Sequence, residues 1–200
     1  MWNKKNINEW YSNHKWLVGC NYLPSTAINQ LEMFQDDSFD PETNNKEIGW
    51  ANDIGFNSLR IYLHDLLWQD KENFQKRLNE ILILCSDHNI KPILVLFDDC
   101  HRPFPKLGKQ PLPVRGVHNS GWKQSPGHEI VREIVKGNKE EEARLKLFTQ
   151  EILDDFREDE RILMWDLYNE PGQFGIGDES NSLLTKVWDW ACEVRPSQPL

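Results

Sequence analysis

Ile162-Leu163-Met164-Trp165-Asp166-Leu167-Tyr168-Asn169-Glu170-Pro171-Gly172 opens as an apolar run and ends on two polar residues followed by Pro-Gly. Ile162 to Leu167 reads as a strand. Neighbours along a strand point to opposite faces, so Asn169 and Glu170 can serve one ligand only where the ladder stops. Pro171-Gly172 stops it there. A buried strand with a polar, abruptly broken carboxyl end suggests a parallel α/β sheet whose strand ends carry function.

The same pattern recurs on the N-terminal side. Trp16 to Tyr22 and Ser58 to Leu63 read as the first and second strands. Pro92 to Phe97 is a continuous apolar run, as expected of a strand buried on both faces. Between them lie helical stretches. Pro41 to Ile54 has Asp40 as N-cap, Pro41 at the first helical position and Gly55 as its stop. Glu72 to His88 places Phe74, Leu78, Ile81, Leu82 and Cys85 on one face. Lys139 to Phe156 is amphipathic, and Asn181 to Val194 brings Leu184, Val187, Trp188 and Ala191 together. Pro196 to Leu200 approaches a fifth strand. The Pro- and Gly-rich stretch from Asp98 to about Gly127 has no period and reads as a long loop, a length that usually signals function or disorder. Trp50 and Trp68, in or near helices, are expected to be packing residues, and Trp165 to be core.

Four successive βα units imply a parallel sheet in an α/β fold, either doubly wound or closed as a (β/α)8 barrel. Gly19-Cys20-Asn21-Tyr22 follows the first strand where a dinucleotide fold would carry GxGxxG, so that fold is disfavoured. A full barrel needs about 250 residues. The 200 residues are therefore read as a (β/α)8 TIM barrel truncated to roughly its first four βα units, residues 1–200 forming the N-terminal half of a single catalytic barrel.

Composition narrows the function classes. Net charge is −9, with no basic stripe to neutralise phosphates, which argues against nucleic acid as a partner. The four cysteines, Cys20, Cys85, Cys100 and Cys192, are widely spaced and read as reduced, mostly buried thiols. No stretch approaches the roughly 18 apolar residues of a membrane span. Met1 to Trp16 has no signal-peptide pattern, so the sequence as given reads as cytoplasmic, or as secreted or periplasmic if an upstream signal was lost. Nine tryptophans exceed ordinary usage, and flat aromatic faces suit the apolar faces of sugar rings.

The strand ends collect the candidate site: Asn21 after the first, Arg60 on the second, Asp98, Asp99 and His101 after the third, Asn169 and Glu170 after the fourth. A Glu in a cleft mouth among aromatics is poorly solvated, which favours its protonated form and a general-acid role. Asn169 can donate its amide to a sugar hydroxyl. Trp122, among small and polar residues of the long loop, suits either a sugar-stacking platform or a loop anchor.

The segment Trp165 to Gly172 resembles the strand-four motif of the retaining clan A glycoside hydrolases, the cellulase- and mannanase-like (family 5-like) barrels. The resemblance implies that Asn169 binds substrate, that Glu170 is the catalytic acid/base, and that Arg60 matches the Arg at the end of strand two that supports the nucleophile's charge. It also implies retaining hydrolysis of O-glycosidic bonds in a β-linked glycan or glycoside, with a carbohydrate substrate and no cofactor or metal. Retention needs two carboxyl groups roughly 5–5.5 Å apart. The family's nucleophile is a Glu on strand seven, so it is expected beyond residue 200, and these residues are expected to be inactive alone, with the missing C-terminal half of the barrel as a partner. Two alternatives stand beside this reading. One is a non-catalytic carbohydrate-binding or remnant barrel fragment. The other is a metal-dependent hydrolase using Asp98, Asp99 and His101, with His64 and Asp65 nearby.

Overall fold

A computed structural model describes residues 2–200. Four parallel strands lie in sequential order, β1 (Gly19–Asn21), β2 (Ser58–Tyr62), β3 (Lys91–Asp98) and β4 (Met164–Asn169). Their register steps evenly, with Asn21 beside Arg60, Arg60 beside Ile93 and Asp98 beside Asn169. Seven α-helices accompany them: α1 (Lys4–Ser12), α2 (Gln30–Phe34), α3 (Pro41–Asp53), α4 (Lys71–Asp87), α5 (His128–Val135), α6 (Lys139–Asp155) and α7 (Ser180–Val194). The order βαβαβαβα is that of half a barrel, so the expected fold class holds.

Local chemistry sets the boundaries. The Asp40 carboxylate accepts the Thr43 backbone N–H at 3.0 Å and Pro41 begins α3, as expected. Gly55 follows at φ +94°, a left-handed turn that a side chain would strain. On α4, Phe74, Leu78, Ile81, Leu82 and Cys85 are all fully buried against the sheet. They join Leu59, Ile61, Leu94, Leu96, Trp165 and Leu167 in one core between sheet and helices.

Several expectations are corrected. The first strand is shorter than Trp16 to Tyr22. Only Gly19–Asn21 pairs, and Trp16 is 78% exposed, because an edge strand with one neighbour has nothing to bury its outer residues. Its approach to β2 is close: a Cβ on Gly19 would sit 1.9 Å from the Ser58 carbonyl oxygen. On α7 the buried stripe is Leu183, Val187, Trp190 and Ala191, rotated one position from the expected one. Trp188 instead lines an outer cavity of about 610 Å³ with Trp2, Ile7, Pro199 and Leu200. Trp50 is 54% exposed, with the Lys46 ammonium 4.8 Å above its ring, so it is not a packing residue. Trp68 packs edge-on to Phe74 and Phe148, and Trp165 is core, both as read. Only Cys85 of the four thiols is fully buried.

The long stretch after β3 is a loop, yet an ordered one. Ser125 pairs with Asp98, and the Arg102 N–H donates to the Trp122 carbonyl at 3.1 Å, so the chain doubles back over the end of β3. Asn29, which caps α2, donates to the Gln110 side chain and the Gly121 carbonyl, clamping the loop from the other side. Leu200 and its neighbours lie along β4, where the Trp165 N–H donates to the Pro199 carbonyl at 2.9 Å, the place of a fifth strand. Among the described residues no helix is long and apolar enough to cross a membrane.

Candidate functional site

The carboxyl ends of β2, β3 and β4 converge on one hydrogen-bonded cluster. Arg60 projects from β2. Its guanidinium donates to the Tyr62 hydroxyl at 2.6 Å, to the Asn169 Oδ1 at 2.8 Å, and to the Asp166 carboxylate. Asn169 completes the chain: its Nδ2 donates to Asp98 Oδ1 at 3.0 Å and to Cys100 Sγ at 3.0 Å. Asp98 in turn meets the His101 Nδ1 at 2.5 Å and accepts the Cys100 backbone N–H at 2.9 Å. Burial alone would raise the Asp98 carboxyl, but the hydrogen bond and charge of His101 outweigh it and hold it below the usual carboxylate value. The His101 ring lies 4.8 Å from that of Trp122 and 5.3 Å from that of Tyr62, and those two rings meet edge-on at 5.2 Å.

Strand geometry explains how Asp166 and Asn169 reach one guanidinium although they are three residues apart. Leu167 and Tyr168 both lie in the helix-side core, so side-chain alternation slips between them. Leu96 and Phe97, both in the core, do the same at the end of β3, where Phe97 lies beside Tyr168. The slip turns Asp98 and Asn169 to the inner side of the strand ends. It also leaves Tyr168 facing outward, its ring 5.9 Å from Phe97.

The sequence-derived residues therefore divide. Arg60, Asp98, His101 and Asn169 are brought together, with Trp122 stacked over the imidazole and half-buried. Trp122 thus anchors the loop against His101 and Tyr62. Asn21 sits beside Arg60 in the register, on the exposed edge strand, with no hydrogen bond to the cluster. Asp99 does not belong to the site. It is fully buried and turned the other way, accepting from the Tyr168 hydroxyl at 3.0 Å, the Gly172 N–H at 2.9 Å and the Ser180 hydroxyl at 2.5 Å. Adjacent residues on a strand end face opposite sides, and Asp99 takes the helix side. His64 and Asp65 are likewise elsewhere: the Asp65 carboxylate is bound by the Ser125 hydroxyl and the Arg144 guanidinium.

Glu170 follows Asn169 directly and stands at the mouth. It is exposed, which corrects the expectation of a poorly solvated carboxyl. Four strands form only part of a ring, and nothing among the described residues covers the Glu170 side chain. Its backbone is left-handed at φ +44°, an uncommon conformation for a residue with a side chain. Its charge is close enough to be felt by Cys100, whose thiol is pushed up first by burial, then by Asp98 and Glu170.

Asp166, Tyr62 and Cys100 were not singled out by sequence. Asp166 carries a signal in hindsight, being the one charged residue within a run of apolar ones. As for metals, Asp98, Cys100 and His101 present ligand atoms within 4.8 Å of one another, a set that includes Cys100 and omits Asp99.

No protein-family model matches this sequence, and no curated protein matches it. Solved structures do. A glycoside hydrolase crystal structure superposes with a TM-score of 0.56 at 18% identity, covering 91% of this chain and 51% of the other. The hyperthermostable endo-1,4-β-D-mannanase from Thermotoga petrophila RKU-1, solved with maltose and glycerol, gives 0.55 at 15% identity, covering 91% and 53%. The endo-β-1,4-mannanase from Thermotoga petrophila gives 0.57 at 15% identity, covering 93% and 42%. The chain spans about half the length of these proteins. At these identities the likeness concerns the backbone: the chain folds as the first four βα units of a glycoside-hydrolase-like (β/α)8 barrel.

Proposed function

We propose that residues 1–200 are the N-terminal half of a retaining glycoside hydrolase barrel that cleaves β-linked glycans, with Glu170 as acid/base and Asn169 as a substrate ligand. The observation that carries this reading is the fixing of Asn169 by Arg60 from β2 and Asp98 from β3, with Glu170 next in the chain at the open mouth. Arg60, Asn169 and Asp98 hold one another by hydrogen bonds, and the Glu170 carboxylate is exposed next to them in the chain. The His101, Trp122 and Tyr62 rings pack together next to Asp98 and Arg60, a polar aromatic surface suited to a sugar. The fold neighbours make β-1,4-linked mannan the first substrate to try.

In this reading Glu170 donates its proton to the departing glycosidic oxygen and then takes one from water, while a second carboxylate roughly 5–5.5 Å away attacks the anomeric carbon. That nucleophile is expected on a later strand, and with it the walls that would desolvate Glu170 and raise its pKa. Arg60 supports its charge while Asp166 and Asn169 hold the guanidinium in place.

The test uses the polypeptide in its natural reading frame with β-1,4-mannan and aryl β-glycosides. Glu170→Gln should lower kcat about 10²–10⁴-fold on substrates with poor leaving groups. It should act far less on an activated dinitrophenyl glycoside, which needs no protonation. Equal loss on both, or none, overturns the acid/base assignment.

A further inference from the structure

We infer that the end of β3 is a binding site for a thiophilic divalent cation, Zn²⁺ or Cd²⁺, held by Asp98, Cys100 and His101. Thiolate sulfur, imidazole nitrogen and carboxylate oxygen are the three side-chain donors zinc uses. All three occur here within four residues, with ligand atoms inside a 4.8 Å span. A tetrahedral zinc ion sets its ligands about 3.5 Å apart. The remaining difference is closed by a turn of the half-exposed Cys100 side chain about its Cα–Cβ bond.

Three further observations point to a ligand rather than a chance cluster. First, His101 is 3% exposed and its Nδ1 already lies 2.5 Å from the Asp98 carboxylate, so the two ligand atoms close on one ion once the proton between them leaves. Second, the anionic ligands already have outer donors. Asn169 Nδ2 reaches both Asp98 and Cys100, and the Cys100 N–H reaches Asp98, the kind of support that orients metal ligands. Third, the surrounding charge favours a cation: Asp98 and Glu170 both act on the Cys100 thiol, and Arg60, the cation nearby, is already paired with Asp166.

On binding, the Cys100 S–H bond breaks as the sulfur–metal bond forms, and the proton leaves to solvent. His101 binds through a neutral ring nitrogen, and Asp98 is already a carboxylate. One fourth position is left to water. The site stands whether or not the chain hydrolyses glycosides.

The experiment titrates the chain with ZnCl₂ and with CdCl₂ by calorimetry, and follows the ultraviolet thiolate-to-cadmium absorption. One ion per chain is expected. Cys100→Ser should abolish the absorption and weaken binding at least about tenfold. A Cys20→Ser/Cys192→Ser variant should keep both. Unchanged binding in Cys100→Ser, or loss confined to the Cys20/Cys192 variant, overturns the site. Should Cys100→Ser lack a cooperative unfolding transition, His101→Gln decides: wild-type affinity in that variant overturns it, and a drop of the same size supports it.

Discussion

Replacing Asp99 by Ala should unravel the chain more than it harms any ligand contact. Asp99 accepts three hydrogen bonds, from the Tyr168 hydroxyl, the Gly172 N–H and the Ser180 hydroxyl, at 3.0, 2.9 and 2.5 Å. A hydrogen bond to a charged group contributes about 1.5–3 kcal/mol net. The three do not add fully, since burying the carboxylate carries its own desolvation cost. Gly172 N–H also retains the Ser180 Oγ as a second partner, at 3.2 Å. Tyr168 and Ser180 are 8% and 1% exposed, so water cannot replace the lost acceptor cheaply. Leaving the two buried hydroxyls without their acceptor costs about 1–3 kcal/mol each, so a loss of about 2–5 kcal/mol is expected. That is a large part of the total stability of an ordinary domain, about 5–15 kcal/mol. In urea denaturation followed by circular dichroism, with a slope of about 2–3 kcal/mol/M, the midpoint should fall by about 1–2 M. Tyr168→Phe, which deletes one donor and keeps the ring, should cost about 1 kcal/mol. A shift below about 0.3 M for Asp99→Ala would show that the carboxylate is not a strut and restore it as a ligand residue.

Arg60→Met removes the group that fixes Asn169, so affinity for a β-linked oligosaccharide should fall while the urea midpoint moves little, because the Arg60–Asp166 pair is partly exposed and such pairs contribute about 0–1 kcal/mol; unchanged affinity by calorimetry refutes the role. Burial alone would raise the Asp65 carboxyl, but His64 and Arg144 outweigh it and hold it well below the usual range. A depressed folded value stabilises above the unfolded pKa of about 3.9 and is lost as pH falls through the folded one, so the stability gap between wild type and Asp65→Asn should be full at neutral pH and close in strong acid. A gap that widens on acidification contradicts it. Asn138 caps α6 by accepting from the Glu140 and Glu141 N–H groups, and Asn138→Ala should cost about 1 kcal/mol in thermal or urea unfolding.

Much of this architecture is written in hydrophobic spacing. The β2, β3, α3, α4 and α6 segments fall within a few residues of their expected bounds, because β2, β3, α4 and α6 carry apolar stripes and α3 and α6 have side-chain N-caps. The meeting of Arg60 with Asn169 follows from parallel strands ending at one mouth. What spacing could not show is side-chain parity at the strand ends. Asp98 and Asp99 look equivalent as text, and only the slip at Leu96–Phe97 and Leu167–Tyr168 decides which one faces the mouth. Asp166 was hidden for the same reason, since a lone charge inside a strand reads as an interruption. The α1 helix has no buried residue at all, so no apolar pattern announces it. Glu170's exposure depends on walls that four strands do not supply.

The two residues flanking Glu170-Pro171 are both pinned, Asn169 to Arg60 and Asp98, and Gly172 to Asp99. The left-handed kink at Glu170 is thus bracketed by anchors from two different strands. Backbone swing is denied to this carboxyl, and its freedom reduces to rotation about its own side-chain bonds. Aim is therefore a property of the scaffold and of two aspartates side by side, so drift in the outer helices should reach the tip of this residue only by first tearing out the Asp99 rivet.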